Sequence, residues 1–243
     1  MRIWVARPEP GATRTGERLA ALGHVPLVAP VLTVSATGAA LPSEPFGGLL
    51  LTSAAAVAAL GVTDRLQLGT VPVFAVGTRT ADLARKAGFA DVRDADGDAA
   101  ALAALVRTAL PPGARLLHMA GADRKTEPAA SLHAAGHHVV TVVAYAAAAI
   151  PVLPAAVARA LDGAGEPRLQ AVLHYSRRSA ATAHDLAAAA GRSGAFRVLK
   201  HYCLSADVAV PLVAAGIAVH FVPDRPTEDA LLTGLSADDP AGT

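Results

Sequence analysis

The sequence predicts an α/β protein of two similar, doubly wound parallel-sheet domains, and three observations predict it. Short apolar segments alternate with helical segments about ten residues long, which is how parallel strands covered by helices on both faces read. That alternation is written twice along the 243 residues. Small, hydroxyl and arginine residues gather where strands run into helices, the places at which open α/β sheets hold ligands.

The elements follow in order. A short unit opens with a strand at 2–6, continues through a loop from Arg7 and a helix near 15–22, and reaches Gly23 and the strand VPLVAPV. Its echo is RLLHM at 115–119, a loop at 120–125, a helix near 126–135, Gly136 and HVVTVVA. A longer unit begins with GLLLTSAAAVAAL at 48–60, where an apolar strand ends in Thr52-Ser53 and passes into a helix, followed by VPVFAVGTRTADLARKAGFADV. Its counterpart is AVLHYSRRSAATAHDL from 171, then RVLKHYCLSADVAVPLVAAGIAVHFV from 197. Gly88 and Gly216 sit alike after a helix and before a strand, as C′ glycines do. DGDAAALAALV and PTEDALLTGL match as closing helices, each with an acidic or hydroxyl residue placed to cap it. A period this long means duplicated domains rather than a solenoid. Loop-like breaks fall at 35–45 and 146–154, and the repeat alone would cut the chain once, in the middle.

Composition removes several classes of function. A net charge of +1 with 17% charged residues gives no basic field for nucleic acid. The lone Cys203 can form neither an internal disulfide nor a multi-thiolate metal site, which fits a reducing, cytoplasmic setting. MRIWVARPEP lacks an apolar h-region and reads as a first strand, not an export signal. The uncharged stretch 139–158 is interrupted by Pro151 and Pro154 and opens with β-branched residues, so it reads as strand, linker and helix rather than a membrane span.

Candidate chemistry sits at the strand ends of both halves: Thr52 and Ser53, Gly77, Thr78 and Thr80, Gly121, Ser176 and Ser179, and Ser205. Any one of these hydroxyls is accounted for by helix capping, but their shared location suggests a cleft between two similar faces. Arg7, Arg79, Arg124, Lys125, Arg177 and Arg178 lie in the same loops, partly offset by Glu9, Asp123 and Asp207. Helix N-termini combined with arginines suit a ligand rich in carboxylates or phosphates. Neither GxGxxG, GxxxxGK[ST] nor G-x-S-x-G is present, which withdraws the usual warrant for nucleotide or serine-hydrolase chemistry. His133, His137 and His138 read as surface or cap histidines rather than a metal site, and His174, His201 and His220 as strand residues. Tyr145 ends the strand VVTVVA where the chain passes between halves, and its phenol is either a satisfied core group or a proton donor.

Taken together, RPEPGATRTGERLAALG, PLVAPVLTV, LLLTSAAAV, FAVGTRTADLARKAG, GADRKTEPAASLHAAGH, VVAY, HYSRRSA, CLSADVA and PTEDALLTGL resemble, in this order, the uroporphyrinogen-III synthase family. The resemblance implies a flavodoxin-like topology in both domains and a two-stranded linker, with 1–33 and 150–243 forming one domain, 38–141 the other, and 34–37 and 142–149 the linkers. It implies a cyclisation of hydroxymethylbilane, a linear tetrapyrrole octacarboxylate, that proceeds through an azafulvene and a spiro intermediate with inversion of ring D and loss of water. It implies no metal or organic cofactor, no nucleic-acid or membrane partner, and a monomer.

Residue by residue, the family's tyrosine maps to Tyr145, which would assist departure of the hydroxyl. Thr52 and Ser53 match its T-S loop, Gly77, Thr78 and Thr80 its G-x-x-T loop, and Ser176 and Ser179 its later serine loop; Arg7, Gly121, Arg124, Arg177 and Ser205 complete the substrate-binding set. Asp207-Val208 depart from the hydroxyl pair often found in the family, and Asp207 would repel a polyanion unless it caps its helix. Two rivals share the fold: a non-enzymatic sensor closing on a small anion, and a sugar-nucleotide transferase, against which stands the lack of an acidic metal-binding pair in a strand-end loop.

Overall fold

The computed structural model describes residues 1–123, 126–165 and 167–236. The chain runs β1 (Arg2–Val5), α1 (Gly11–Ala21), β2 (Val25–Val28) and β3 (Leu32–Ala36), and then β4 (Gly48–Leu51), α2 (Ala54–Ala59), α3 (Val62–Leu68), β5 (Val73–Ala75), α4 (Thr78–Lys86), β6 (Val92–Asp94) and α5 (Ala99–Ala109). It continues through β7 (Arg115–Gly121), α6 (Ala129–Ala134), β8 (His138–Ala149) and α7 (Ala155–Leu161). Last come β9 (Leu169–His174), α8 (Arg177–Ala189), α9 (Ser193–Arg197), β10 (Lys200–Cys203), α10 (Ala206–Ala214) and α11 (Glu228–Ser236).

Two compact units result: unit 1 is Met1–Thr33 with Ala148–Thr243, and unit 2 is Val34–Ala147. The chain passes from one to the other in β3 and again in β8, neighbours in one sheet. Thr37 N–H bonds Ala144 O and Ile150 N–H bonds Val31 O, so these two strands run antiparallel.

Unit 1 holds a parallel sheet in the order β2-β1-β9-β10, with a bridge from Tyr202 to Phe221 at the fifth position. Unit 2 has parallel strands in the order β8-β7-β4-β5-β6, with β3 added outside β8. The two orders are the same once β7 and β8 take the places of β1 and β2. Unit 1 is thus the first short unit joined to the last long one, and unit 2 the first long unit joined to the second short one. Unit 1 has the 2-1-3-4-5 order of doubly wound sheets and unit 2 is its circular permutation, 5-4-1-2-3 in its own chain order; the ligand crevice of such sheets lies at the carboxyl ends of the strands.

Helices on both sheet faces explain the unbroken apolar runs. In β4, Leu49 and Leu51 join one core cluster while Leu50 packs with Phe74 in the other. In β1, Ile3 and Val5 join a single cluster and the buried Trp4 donates its indole N–H to Ala29 O at 2.8 Å. Gly88 and Gly216 take φ of +99° and +68° after α4 and α10, a conformation that glycine adopts without a Cβ clash.

Three sequence expectations shift. The helices of the two short units start at Gly11 and Ala129, not near 15 and 126. In each a Glu-Pro pair precedes the helix and the glutamate accepts from its first turn, Glu9 from Thr13 N–H and Glu127 from Ser131 N–H; a residue before proline is kept out of the helical region, so neither helix can start earlier. The fifth strand of unit 1 contracts to the bridge at Phe221. His137 is buried, 3% exposed, because its N–H returns to Leu132 O and the side chain turns inward, while His133 and His138 are exposed. No helix of the described residues is long and apolar enough to cross a membrane, and the stretch 139–158 divides between β8, a proline-containing turn and α7.

Candidate functional site

The strand ends of unit 2 bring together Thr52, Ser53, Gly121 and Tyr145. Ser53 is the N-cap of α2, its Oγ accepting from Ala56 N–H at 3.2 Å, and it donates to Tyr145 Oη at 2.8 Å. Tyr145 reaches that position through a bulge. The pairing steps from Ala120–Val143 to Gly121–Tyr145, leaving Ala144 as the extra residue. Val142, Ala144 and Tyr145 consequently pack on the same core cluster, where strict alternation would send Tyr145 to the opposite face. Gly121 makes room for the ring: a Cβ there would lie 2.7 Å from Tyr145 Cε2. Next to this group, Thr52 Oγ1 and His118 Nε2 share a hydrogen bond of 3.3 Å, and His118 is buried.

One strand further along, Gly77 caps α4 with extended backbone and no side chain of its own. Thr78 is exposed, Thr80 is 6% exposed and faces inward, and Arg79 makes no ion pair among the described residues. The first N–H groups of α4 and the Arg79 guanidinium form a positive strand end, with no acidic residue in the first turn of the helix. Arg124 lies outside the described residues.

The strand ends of unit 1 are organised differently, because one carboxylate fills them. Glu228, at the start of α11, accepts from Thr15 Oγ1 and Tyr175 Oη on Oε1, pairs with Arg7 at 3.2 Å on the same oxygen, and pairs with Arg18 at 3.0 Å on Oε2. Burial opposes its charge, but the hydroxyl donors and the two guanidinium groups outweigh that and hold the carboxyl below its usual range. Burial pushes the Tyr175 phenol up. Arg7 also stacks over the Tyr175 ring, 3.9 Å from its centroid, so the guanidinium expected to meet substrate is committed to an internal network.

The remaining unit 1 residues divide between capping and pairing. Ser176 caps α8 by accepting from Ser179 N–H, and Ser205 caps α10 by accepting from Val208 N–H. Ser179 is fully buried and donates to Ala6 O. Arg177 pairs with Asp207 at 3.5 Å, so the acidic residue in the first turn of α10 is offset by a neighbouring cation. Beneath these loops His174 and His201 stack in the core, with 3.1 Å between His174 Nε2 and His201 Nδ1, while His201 Nε2 bonds Phe196 O. A cavity of about 490 Å³ lined by Phe221, Pro223, Arg225 and Gly234 contains none of the sequence-predicted residues. Among the described residues no group of three or more His, Cys, Asp or Glu is placed to hold a metal ion.

Sequence reasoning missed Glu228, Tyr175 and His118 as members of these clusters. The signal for Glu228 is its position at the closing helix of a unit, one residue after Thr227, whose Oγ1 accepts from Ala230 N–H.

Comparison with known proteins decides the family. The family model of uroporphyrinogen-III synthase HemD matches residues 13–233. The chain belongs to the uroporphyrinogen-III synthase family. Solved structures agree on the fold. The uroporphyrinogen-III synthetase of Helicobacter pylori 26695 superposes with a TM-score of 0.62 at 15% identity, covering 97% of this chain and 98% of that one. A mutant uroporphyrinogen III synthase from the extremely thermophilic bacterium Thermus thermophilus gives 0.50 at 16% identity, with 98% of each chain covered. No curated protein matches the chain in sequence. Membership in this enzyme family ties the chain to a small tetrapyrrole substrate and to tetrapyrrole biosynthesis.

Proposed function

We infer that this chain is a cyclising hydro-lyase that converts hydroxymethylbilane to uroporphyrinogen III, acting as a cytoplasmic monomer. The observation that carries the reading is the family match over residues 13–233. Tyr145 is its acid. The phenol gives its proton to the terminal hydroxyl, the C–O bond breaks with its electron pair on oxygen, and water leaves an azafulvene cation. Ring D attacks that cation through its substituted carbon, and the spiro intermediate opens and recloses with ring D inverted. The last closure releases one proton from the ring D carbon that forms the new bond, which restores the phenol.

The substrate carries eight carboxylates, and geometry decides which isomer forms, so binding energy is used to hold the bent chain. Thr52, the N-terminal amides of α4 beside Gly77 and Thr78, and Arg79, which has no ion pair among the described residues, are the unit 2 groups suited to carboxylates. Tyr145, with its phenol at a strand end, supports the acid role over that of a satisfied core group. A non-enzymatic sensor gains no observation of its own. Incubating the protein with freshly prepared hydroxymethylbilane and separating the isomers tests the reading: the type III isomer is expected, and type I alone, the product of unassisted closure, refutes it.

A further inference from the structure

The Ser53 hydroxyl makes two hydrogen bonds at once. It accepts from Ala56 N–H at 3.2 Å and donates to Tyr145 Oη at 2.8 Å. A serine hydroxyl has one proton, and a carboxylate only accepts, so Ser53 cannot donate to a substrate carboxylate while it holds Tyr145. The Tyr145 phenol, in turn, accepts from Ser53 and keeps its own proton for a third group; Ser53 is the phenol's one hydrogen-bond partner among the described residues.

We propose that Ser53 is a positioning residue for ring closure, acting through Tyr145 and not on a substrate carboxylate. The proposal rests on the reading of Tyr145 as the acid. Three features support it. The Tyr145 ring is held in place by the bulge in β8 and by its close approach to Gly121, so the remaining freedom is rotation of the phenol O–H. Ser53 removes that freedom by occupying one lone pair of the phenol oxygen, which turns the proton away from α2. The bonds also form a relay in one direction, from the backbone N–H at the start of α2 through the serine hydroxyl to the phenol oxygen. Each donor in such a chain polarises the next, so negative charge on the oxygen is stabilised as its proton leaves. Unit 1 supplies the contrast: Ser176 caps α8 at the corresponding place, but the adjacent Tyr175 donates its proton to Glu228.

A double-mutant cycle on kcat tests this. Ser53→Ala, Tyr145→Phe and the pair together are assayed below the unfolding temperature of each variant, beside Ser53→Thr, which keeps cap and donor. Ser53→Gly serves if the alanine variant does not fold, since glycine is tolerated at an N-cap. Expected are a fall in kcat of about five- to fiftyfold for Ser53→Ala with KM within about twofold, recovery to within about threefold in Ser53→Thr, and no further loss when Ser53→Ala is added to Tyr145→Phe. A raised KM at unchanged kcat, multiplying effects in the double variant, or a threonine variant as slow as the alanine one overturns the proposal. An unchanged kcat in Tyr145→Phe overturns instead the acid role beneath it.

Discussion

The two units share a strand order and differ in what their strand ends do with charge. In unit 1 Arg7 and Arg18 both pair with Glu228, Arg177 pairs with Asp207, and the Tyr175 phenol is bonded to the same glutamate. In unit 2 Arg79 has no carboxylate partner among the described residues, and Tyr145 accepts a hydrogen bond from Ser53 while keeping its proton. Duplication supplied two frames of the same shape; one presents a strand-end phenol that keeps its proton, and the other has closed its strand ends with ion pairs that hold α1 and α11 together. A guanidinium already bonded to a carboxylate must give up that bond to take another, so repeated arginines are not equivalent binding groups.

The sharpest way to break this contrast is to displace Tyr145 without removing its phenol. Gly121→Val would put atoms where the ring lies, and ring closure is expected to slow by about ten- to a thousandfold, as for loss of one general acid; an unchanged kcat would separate Tyr145 from the chemistry. Next in size is Glu228→Gln, which leaves Arg7 without its carboxylate and Arg18 with Asp229 alone. Urea titration should show a loss of about 3 kcal/mol, and a change under 0.5 kcal/mol, roughly the surface-substitution range, would mean that the network does not hold unit 1.

Acid should act on unit 1 in the same sense. Burial pushes His201 down to about 4 and holds His174 well below its usual range, so the unfolded chain binds protons that the folded one refuses. Stability is then complete above the ordinary histidine range and falls as pH drops from about 6.5 towards 4, by about 2 kcal/mol at pH 5 for His201 alone. Glu228, held low, adds its own loss further down, below the usual carboxylate range. A flat thermal midpoint between pH 7 and pH 5 would contradict the buried, neutral pair.

The smallest effects compare two arginines directly. Arg79→Ala should raise KM for the bilane about five- to tenfold with little change in stability, whereas Arg7→Ala should cost about 1 kcal/mol of stability and leave KM within about twofold. The reverse pattern in steady-state kinetics would assign binding to the closed end.

Much of the fold could be read from sequence because its causes are local. Apolar runs such as IWV and LLL, the glycines after α4 and α10, and Ser53, Ser176 and Ser205 ahead of their helices each act within a few residues. The site was only partly legible. Tyr145 was visible as a strand-end phenol, but its aim depends on one extra residue in β8 that a period of two cannot reveal. Glu228 draws on residues 7, 15, 18 and 175, whose meeting is a product of tertiary structure and carries no local mark. The pairing of Arg177 with Asp207 is of the same kind, a cation set beside the carboxylate that the sequence alone leaves unaccompanied.

One measurement bears on the central claim most directly: the ratio of type III to type I isomer, and its rate of formation, from fresh hydroxymethylbilane with the unaltered protein and with Tyr145→Phe side by side. The account predicts nearly pure type III from the first, and slower turnover with a rising share of type I from the second as unassisted closure overtakes it. Type I from both would contradict the function, and equally fast type III from both would contradict the role of Tyr145.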